Sequence, residues 1–292
     1  MPGAERTGSV IAHEPSGLPW RGPAPGRPDL PIPPDPMPLL RNGRLRKRWR
    51  YFGVYGAEVM LGVAKVQVGP LPQSFWAVWD REGGRRWSHT RMLPGGQVEM
   101  EDRELRLDAG EVRAELRFEE GEAIESVCPS GEDGYAWTRK RAGVEVSGTI
   151  EAGGRSWRID GPIGVEDLSA GYHQRHTDWL WSAGVGESAD GRAVAWNLVA
   201  GINDPVKGSE RAIWIDGIPS EPEPVSFEGL ESVGFADGSR LRFAAESERA
   251  RDDNLLLLRS TYRHQFGSFE GALPGIELAR GFGVMEEHSA VW

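Results

Sequence analysis

The sequence predicts an all-β protein: two strongly curved antiparallel sheets or barrels in tandem, behind an extended proline-rich arm. Three observations carry that expectation. The 292 residues include 39 glycines, 21 prolines and 12 tryptophans, a mix that suits many short strands joined by tight turns around a large aromatic interior. From Tyr51 onward apolar residues recur with the period of strands, as where Val112, Ala114, Leu116 and Phe118 alternate with charged neighbours. Turn signals return at short intervals, at Gly83-Gly84, Gly95-Gly96, Gly153-Gly154, Asp190-Gly191, Asp216-Gly217 and Asp237-Gly238.

The elements follow in order. Eleven of the 21 prolines fall within residues 2–38, and a stretch such as Leu30-Pro31-Ile32-Pro33-Pro34-Asp35-Pro36 can hold neither a helix nor a sheet interior. Residues 1–38 therefore read as an arm, either disordered or strapped across the body with Trp20, Leu39 and Leu40 as anchors. The basic run at 41–50, with Lys47 and five arginines, reads as a solvated linker, with a local anion patch as the other reading. Residues 39–155 form the first β domain, including the β-branched run Glu58-Val59-Met60-Leu61-Gly62-Val63-Ala64-Lys65-Val66-Gln67-Val68. Residues 156–292 form the second. The halves echo each other: Phe75-Trp76-Ala77-Val78-Trp79-Asp80 precedes a hairpin through Leu105 and Leu107, and Ala212-Ile213-Trp214-Ile215-Asp216 precedes one through Leu241 and Phe243. Meanders of eight to ten strands protect their edges by curling, and barrels of that size enclose one small apolar ligand.

Charge and cysteine content narrow the function classes. Lys and Arg number 34 against 44 Asp and Glu, a formal charge of −10, so the overall field repels nucleic acid and anionic lipid headgroups. No run approaches the roughly 18–20 apolar residues of a membrane span, and the first thirty residues lack the apolar core of a signal peptide. A soluble, cytoplasmic protein without an integral membrane segment is expected. The single cysteine, Cys128, fits a reducing compartment and reads as a buried small apolar residue. No glycine motif cradles a phosphate and no nucleophile elbow is present. No cofactor is expected.

Candidate chemistry concentrates in two short segments. Gly171-Tyr172-His173-Gln174-Arg175-His176-Thr177-Asp178-Trp179-Leu180-Trp181 packs two imidazoles, a carboxylate, a phenol and two indoles together, and the C-terminal stretch adds Glu286-Glu287-His288 and Trp292. A carboxyl held against indoles has its pKa raised by desolvation and stays a proton donor at neutral pH. Asp167 and Asp178 are the acid candidates, with His173, His176, Glu287 and His288 as bases or orienting groups. Tyr172, Trp179, Trp181, Asn197 and Asn203 are the candidate ligand-binding residues. Each indole contributes about 0.5–2 kcal/mol to a passing cation, so the acid carries most of the catalysis. Structural roles stand beside these: Asp178 capping a turn, hydrogen-bonded histidines, Trp196 and Trp214 in the core, Asn197, Asn203 and Asp204 in turns. His173-x-x-His176 with Glu287 or His288 has ligand types suited to zinc, yet residues three apart on a strand face opposite ways, and no metal is expected.

Two resemblances add to this reading. Val144-Glu145-Val146-Ser147-Gly148-Thr149-Ile150, Trp157-Arg158-Ile159-Asp160-Gly161, Glu166-Asp167 and Trp179-Leu180-Trp181 resemble the middle of the carotenoid 1,2-hydratase and AttH-like proteins, which implies two lipocalin-like barrels. Asp167 matches the acid implicated in hydration in that family, although Asp167-Leu168-Ser169 stands where the family has a carboxylate, a basic residue and an aromatic. More specifically, Ser169-Ala170-Gly171-Tyr172-His173, His176-Thr177-Asp178-Trp179, Asn197-Leu198-Val199-Ala200-Gly201-Ile202-Asn203-Asp204 and Gly281-Phe282-Gly283-Val284-Met285-Glu286-Glu287-His288 resemble domain of unknown function 2804, over roughly residues 39–292. The expected function is binding of a hydrophobic small molecule, a lipid, isoprenoid or polyketide-like compound, in a barrel pocket, with cofactor-independent acid–base catalysis such as hydration or cyclisation. A non-catalytic carrier and a structural protein without a ligand are the alternatives.

Overall fold

The structure, a computed structural model, describes residues 17–22, 26–92, 95–255 and 258–292. The rest of the expected arm, residues 1–16 and 23–25, lies outside the described residues. Among the described residues every regular element is a strand, and apart from a small ribbon of Leu40–Arg41 with Arg44–Leu45 the strands form two large antiparallel sheets. The first runs, edge to edge, Arg85–Arg91, Leu71–Asp80, Val59–Val68, Lys47–Tyr55, Arg155–Gly171, Tyr135–Ala152, Val112–Phe118, Glu104–Asp108 and Val98–Glu101. Ile124–Pro129 joins it along the first part of Tyr135–Ala152, and Trp20–Arg21 pairs onto Ile124–Pro129. The second runs Ile218–Ser220, Ala212–Ile215, Ala193–Ala200, His176–Ser188, Ile276–Val291, Leu258–Leu273, Arg240–Leu255, Ser232–Gly234 and Ser226–Glu228.

The two orders are the same. In each sheet a four-strand meander and a later meander are joined because the first long strand pairs with the last, Lys47–Tyr55 with Arg155–Gly171 and His176–Ser188 with Ile276–Val291. That pairing curls the sheet and leaves as free edges two strands that follow one another in the chain. The expected tandem of curved all-β units is thus present. Leu71–Asp80 and Ala212–Ile215 occupy equivalent places, as the sequence echo suggests. The hairpin echo is one strand out of step, since Leu241 and Phe243 lie in Arg240–Leu255, the counterpart of Val112–Phe118 rather than of the Leu105 strand. The sheets exchange at residues 172–175 and not at 155/156, because Arg155–Gly171 finds both its partners in the first sheet.

Each sheet is filled by its own side chains. Phe52 and Phe118 stack at 4.1 Å inside the first, and Trp196 meets Phe269 edge-on at 4.9 Å inside the second. The central strands also bury their other face. Alternation along Lys47–Tyr55 sends Phe52 and Val54 into the first core and Tyr51 and Tyr55 into a layer shared with Trp181, Val185, Trp214 and Phe266 of the second sheet. Polar ties close this layer: Arg81 pairs with Glu246 at 2.6 Å, and Trp214 Nε1 donates to the Glu122 carbonyl at 2.8 Å.

Two expectations at the N-terminal side need correction. The basic run is no linker: it enters the strand Lys47–Tyr55, where Lys47 is buried and Arg50 pairs at 3.0 Å with Glu166. Leu39 and Leu40 are 46% and 57% exposed and anchor nothing; Ile32 and Met37 are buried instead, with Trp20 packed beside them, against Val127, Tyr135, Trp137 and Tyr172. The Tyr135 and Tyr172 hydroxyls donate to the Pro31 and Pro38 carbonyls, both at 2.7 Å. Proline-rich backbone with no ladder of its own is held by side-chain donors from the sheet. Cys128 is buried as expected, and burial pushes its thiol up to about 12.

The second core depends on a glycine. A Cβ on Gly184 would stand 2.2 Å from Cζ2 of the fully buried Trp196, and a rigid indole surrounded by packed side chains has nowhere to retreat. Gly184→Ala should lower stability by about 1–3 kcal/mol, read as a lower urea midpoint at unchanged slope; an unchanged midpoint would mean the indole moves freely.

Candidate functional site

Cross-strand rows of the two sheets build one cavity in the layer between them. On the first sheet Lys140, Asp167, Tyr51, Ala64 and Phe75 lie directly opposite one another across five neighbouring strands. Residues opposite on adjacent antiparallel strands project to the same face. On the second sheet the same rule aligns Val199, Trp181, Glu286, His264 and Arg249 in one row, and Trp179, His288, Tyr262 and Arg251 in the next. The rows face each other around an inner chamber of about 110 Å³ whose walls include Trp49, Tyr51, Asp167, Trp179, Tyr262 and Glu286. An outer chamber of about 290 Å³ shares Val66, Phe75, Tyr262, His288 and Trp292 with it. Together they reach the lower end of the roughly 300–1,000 Å³ of small-molecule sites.

The inner chamber holds an unbalanced charge cluster. Lys140 Nζ lies 2.5 Å from Asp167 Oδ1, close but not aligned as a hydrogen bond, and 3.3 Å from Glu210. All three are buried. Desolvation pushes both carboxyls above their ordinary values despite the lysine, while for Lys140 the two carboxylates outweigh burial and raise its pKa. Two carboxyls against one ammonium leave an excess negative charge away from water, which favours the protonated form of one of them. Glu210 comes from the loop at 201–211 and accepts from Asn203 Nδ2 at 3.0 Å. Asn197 supports that loop from behind, accepting from Trp181 Nε1 and donating to the Glu210 carbonyl, both at 2.8 Å.

Glu286 has the opposite setting. Burial pushes its carboxyl up, but hydrogen bonds from His264 Nδ1 at 3.0 Å and Trp179 Nε1 at 3.1 Å hold it below the usual range. His288 lies against Trp179, ring centres 4.1 Å apart, with Nε2 2.8 Å from Ser260 Oγ, and burial lowers it to about 4. Two buried polar atoms here have no hydrogen-bond partner among the described residues: Asn203 Oδ1 and Tyr262 Oη. Native proteins rarely leave such groups unmet unless a site uses them.

Of the residues singled out in the sequence, Asp167, Trp179, Trp181, Asn203 and His288 line the cavity, and Asn197 backs it. The others lie elsewhere. Asp178, His176 and Glu287 are exposed, with Glu287 facing Arg263 at 3.6 Å. Tyr172 is committed to Pro38. His173 is buried behind Trp49, stacked at 5.3 Å, and burial with the Lys47 and Arg44 charges lowers it to about 3. Strand alternation separates these cases: Trp179 and Trp181 share a face that Asp178 cannot reach, and Glu286 and His288 share one that excludes Glu287. Applied to the C-terminal cluster, that rule selects Glu286. For Lys140, Glu210, Tyr51 and Tyr262 no local signal exists, because their neighbours in space are distant in sequence.

The family model for domain of unknown function 2804 matches residues 104–292. The chain belongs to this DUF2804 family. No curated protein matches the sequence. Among solved structures, kievitone hydratase from Nectria haematococca superposes with a TM-score of 0.51 at 9% identity, over 82% of this chain and 88% of its own. A putative AttH from Nitrosomonas europaea gives 0.46 at 13% identity, over 88% and 97%. The first overlap shows a shared fold, as the resemblance to hydratase-type double β proteins implies. Within this DUF2804 member, Lys140, Asp167, Glu210, Glu286 and His288 fall inside the matched span, whereas Trp49 and Tyr51 precede it.

Neutral His173 and His288 give the fold an acid-sensitive term. A histidine with its folded pKa depressed binds fewer protons folded than unfolded, so its stabilisation is complete above about pH 6.5 and is lost toward its folded value, at about 1.4 kcal/mol per pH unit. The raised Asp167 and Glu210 act with the opposite sign, contributing most at low pH. His288→Gln, which can keep the Ser260 contact, should therefore lose less melting temperature than wild type between pH 7 and pH 5; parallel curves would show that His288 is not held neutral.

Proposed function

We propose that this protein binds a hydrophobic, unsaturated small molecule between its two sheets and adds water to it, or cyclises it, by acid–base catalysis without a cofactor. The observation that carries the reading is the placing of two buried carboxyls, Asp167 and Glu210, around the single lysine Lys140 in an aromatic chamber, both raised by desolvation, so that in this reading one of them is the neutral acid. A neutral carboxyl at pH 7 is a competent general acid. In the hydration reading its proton goes to one alkene carbon, and the cation at the other carbon lies between the faces of Trp49, Trp179 and Trp181. The ionised Glu286 stabilises that charge electrostatically. Water then supplies the new C–O bond, and its surplus proton passes to Glu286 or returns to the Asp167–Glu210 pair. In cyclisation a second double bond replaces water as the nucleophile, and the same bases remove the final proton.

Lys140 sets the balance. Its charge favours one carboxylate and bars a doubly neutral pair, while burial and that carboxylate together raise the other carboxyl. The unpaired Tyr262 Oη and Asn203 Oδ1 support a polar group on the ligand or the attacking water at this place. The same orphan atoms support a second reading, a carrier that hydrogen-bonds its cargo and returns it unchanged.

Incubation in D2O with linalool and nerolidol as probes, followed by mass spectrometry, separates these readings. Catalysis predicts deuterium on carbon or a water-added product. Asp167→Asn and Glu210→Gln should each slow it by about 10²–10⁴, because either change lets the remaining carboxyl ionise against Lys140. Both variants should stay folded, with Lys140 still paired. Full activity in either variant, or probes bound yet unlabelled by wild type, would remove the catalytic reading.

A further inference from the structure

The outer chamber contains a cation without a direct ion-pair partner among the described residues. Arg249 is 7% exposed, and its guanidinium lies over the rings of Phe75 at 4.6 Å and Tyr262 at 5.2 Å, both cavity walls. Its Nη2 donates to Thr90 Oγ1. Among the described residues no carboxylate stands within ion-pairing distance of it, whereas the equally enclosed Arg141 has Glu166, and Arg251 beside it is taken by Asp253 at 2.6 Å. Charged groups this deep are rarely left uncompensated, since water cannot solvate them. Burial accordingly lowers the Arg249 pKa.

We propose that Arg249 is an anion subsite, and that the ligand is an amphiphile carrying a carboxylate or phosphate head, which this guanidinium binds while the apolar body reaches into the inner chamber. The proposal rests on the binding reading above and adds the ligand's class and direction. Polarity of the two chambers sets that direction. The outer is lined by Arg249, Arg251 and Arg259 against Asp253, the inner by Asp167, Glu210 and Glu286 against Lys140. An anionic head is repelled by the inner wall and attracted by the outer one. In a chain of net charge −10, the basic mouth also gives an anionic ligand a local point of entry. Phe75, Tyr262, His288 and Trp292 line both chambers, so one molecule can span them with its reacting end at Asp167. A planar guanidinium fork suits either oxyanion.

Trp179 and Trp292 line the cavity and report occupancy by fluorescence. Wild-type protein titrated with decanoate, decyl phosphate and decanol should bind at least one of the two anions tenfold or more tightly than the alcohol, and the better anion identifies the head. Arg249→Met keeps an apolar stem against Phe75 and Tyr262; it should erase the anion preference and leave decanol affinity within about twofold, in protein whose melting is checked in parallel. Decanol binding as tightly as both anions to wild type overturns the subsite, a comparison that needs no variant, and so does a preference that survives in Arg249→Met. If none of the three binds, the subsite falls as well. Turnover of linalool or nerolidol with equal binding of decanol and the anions would leave the acid site standing and remove only the anion site.

Discussion

Lys140 reaches from the first sheet toward Asp167 beside it and Glu210 on the 201–211 loop that joins two strands of the second sheet, at 2.5 and 3.3 Å, and these contacts lie where the two sheets bury each other. Every nearby feature is shaped by the need to satisfy that cluster out of reach of water. The 201–211 loop is held by Asn203 and Asn197, with Arg211 donating to the Asp204 and Pro205 carbonyls at 3.0 and 2.7 Å. A buried ion pair of this kind is weak evidence for stability, because desolvation offsets much of the attraction. A well-packed apolar layer would join the sheets at least as firmly.

The site's location follows from how the two curled sheets solve their packing. Each fills its own concavity with aromatic and branched side chains. The layer between them has to accept rows of side chains from two separately curved surfaces. Such surfaces do not interdigitate perfectly, and the gap collects Trp49, Trp179, Trp181 and Tyr262 around ionisable groups. The candidate site lies at this seam, and a double β architecture by itself assigns no reaction.

Two carboxyl environments within one chamber divide the chemistry. Asp167 and Glu210 are desolvated and pushed above their ordinary values; Glu286 is equally enclosed but receives two N–H donors that hold it below the usual range. Pairs of titratable groups driven apart in this way are the arrangement in which an acid and a base coexist at one pH. The aromatic walls strengthen the division by excluding water, which raises the cost of any misplaced charge.

The strand character, the turns, the tandem organisation and the family were all legible in the sequence, because they rest on local periodicity, glycine turns and short contiguous motifs. Asp167, Trp179, Trp181 and His288 could be singled out from residue type alone. Asp178 and Glu287 looked equivalent to their neighbours until the strand phase was known, and that phase assigns them to water. The partners Lys140, Glu210, Tyr51 and Arg249 had no mark in the sequence: a charged residue in a strand looks the same whether it faces solvent or a second sheet. Only the tertiary structure decided which faces meet, since register across distant strands and the docking of one curved sheet on another are set by non-local packing. The sequence determined the two sheets; their seam determined the site.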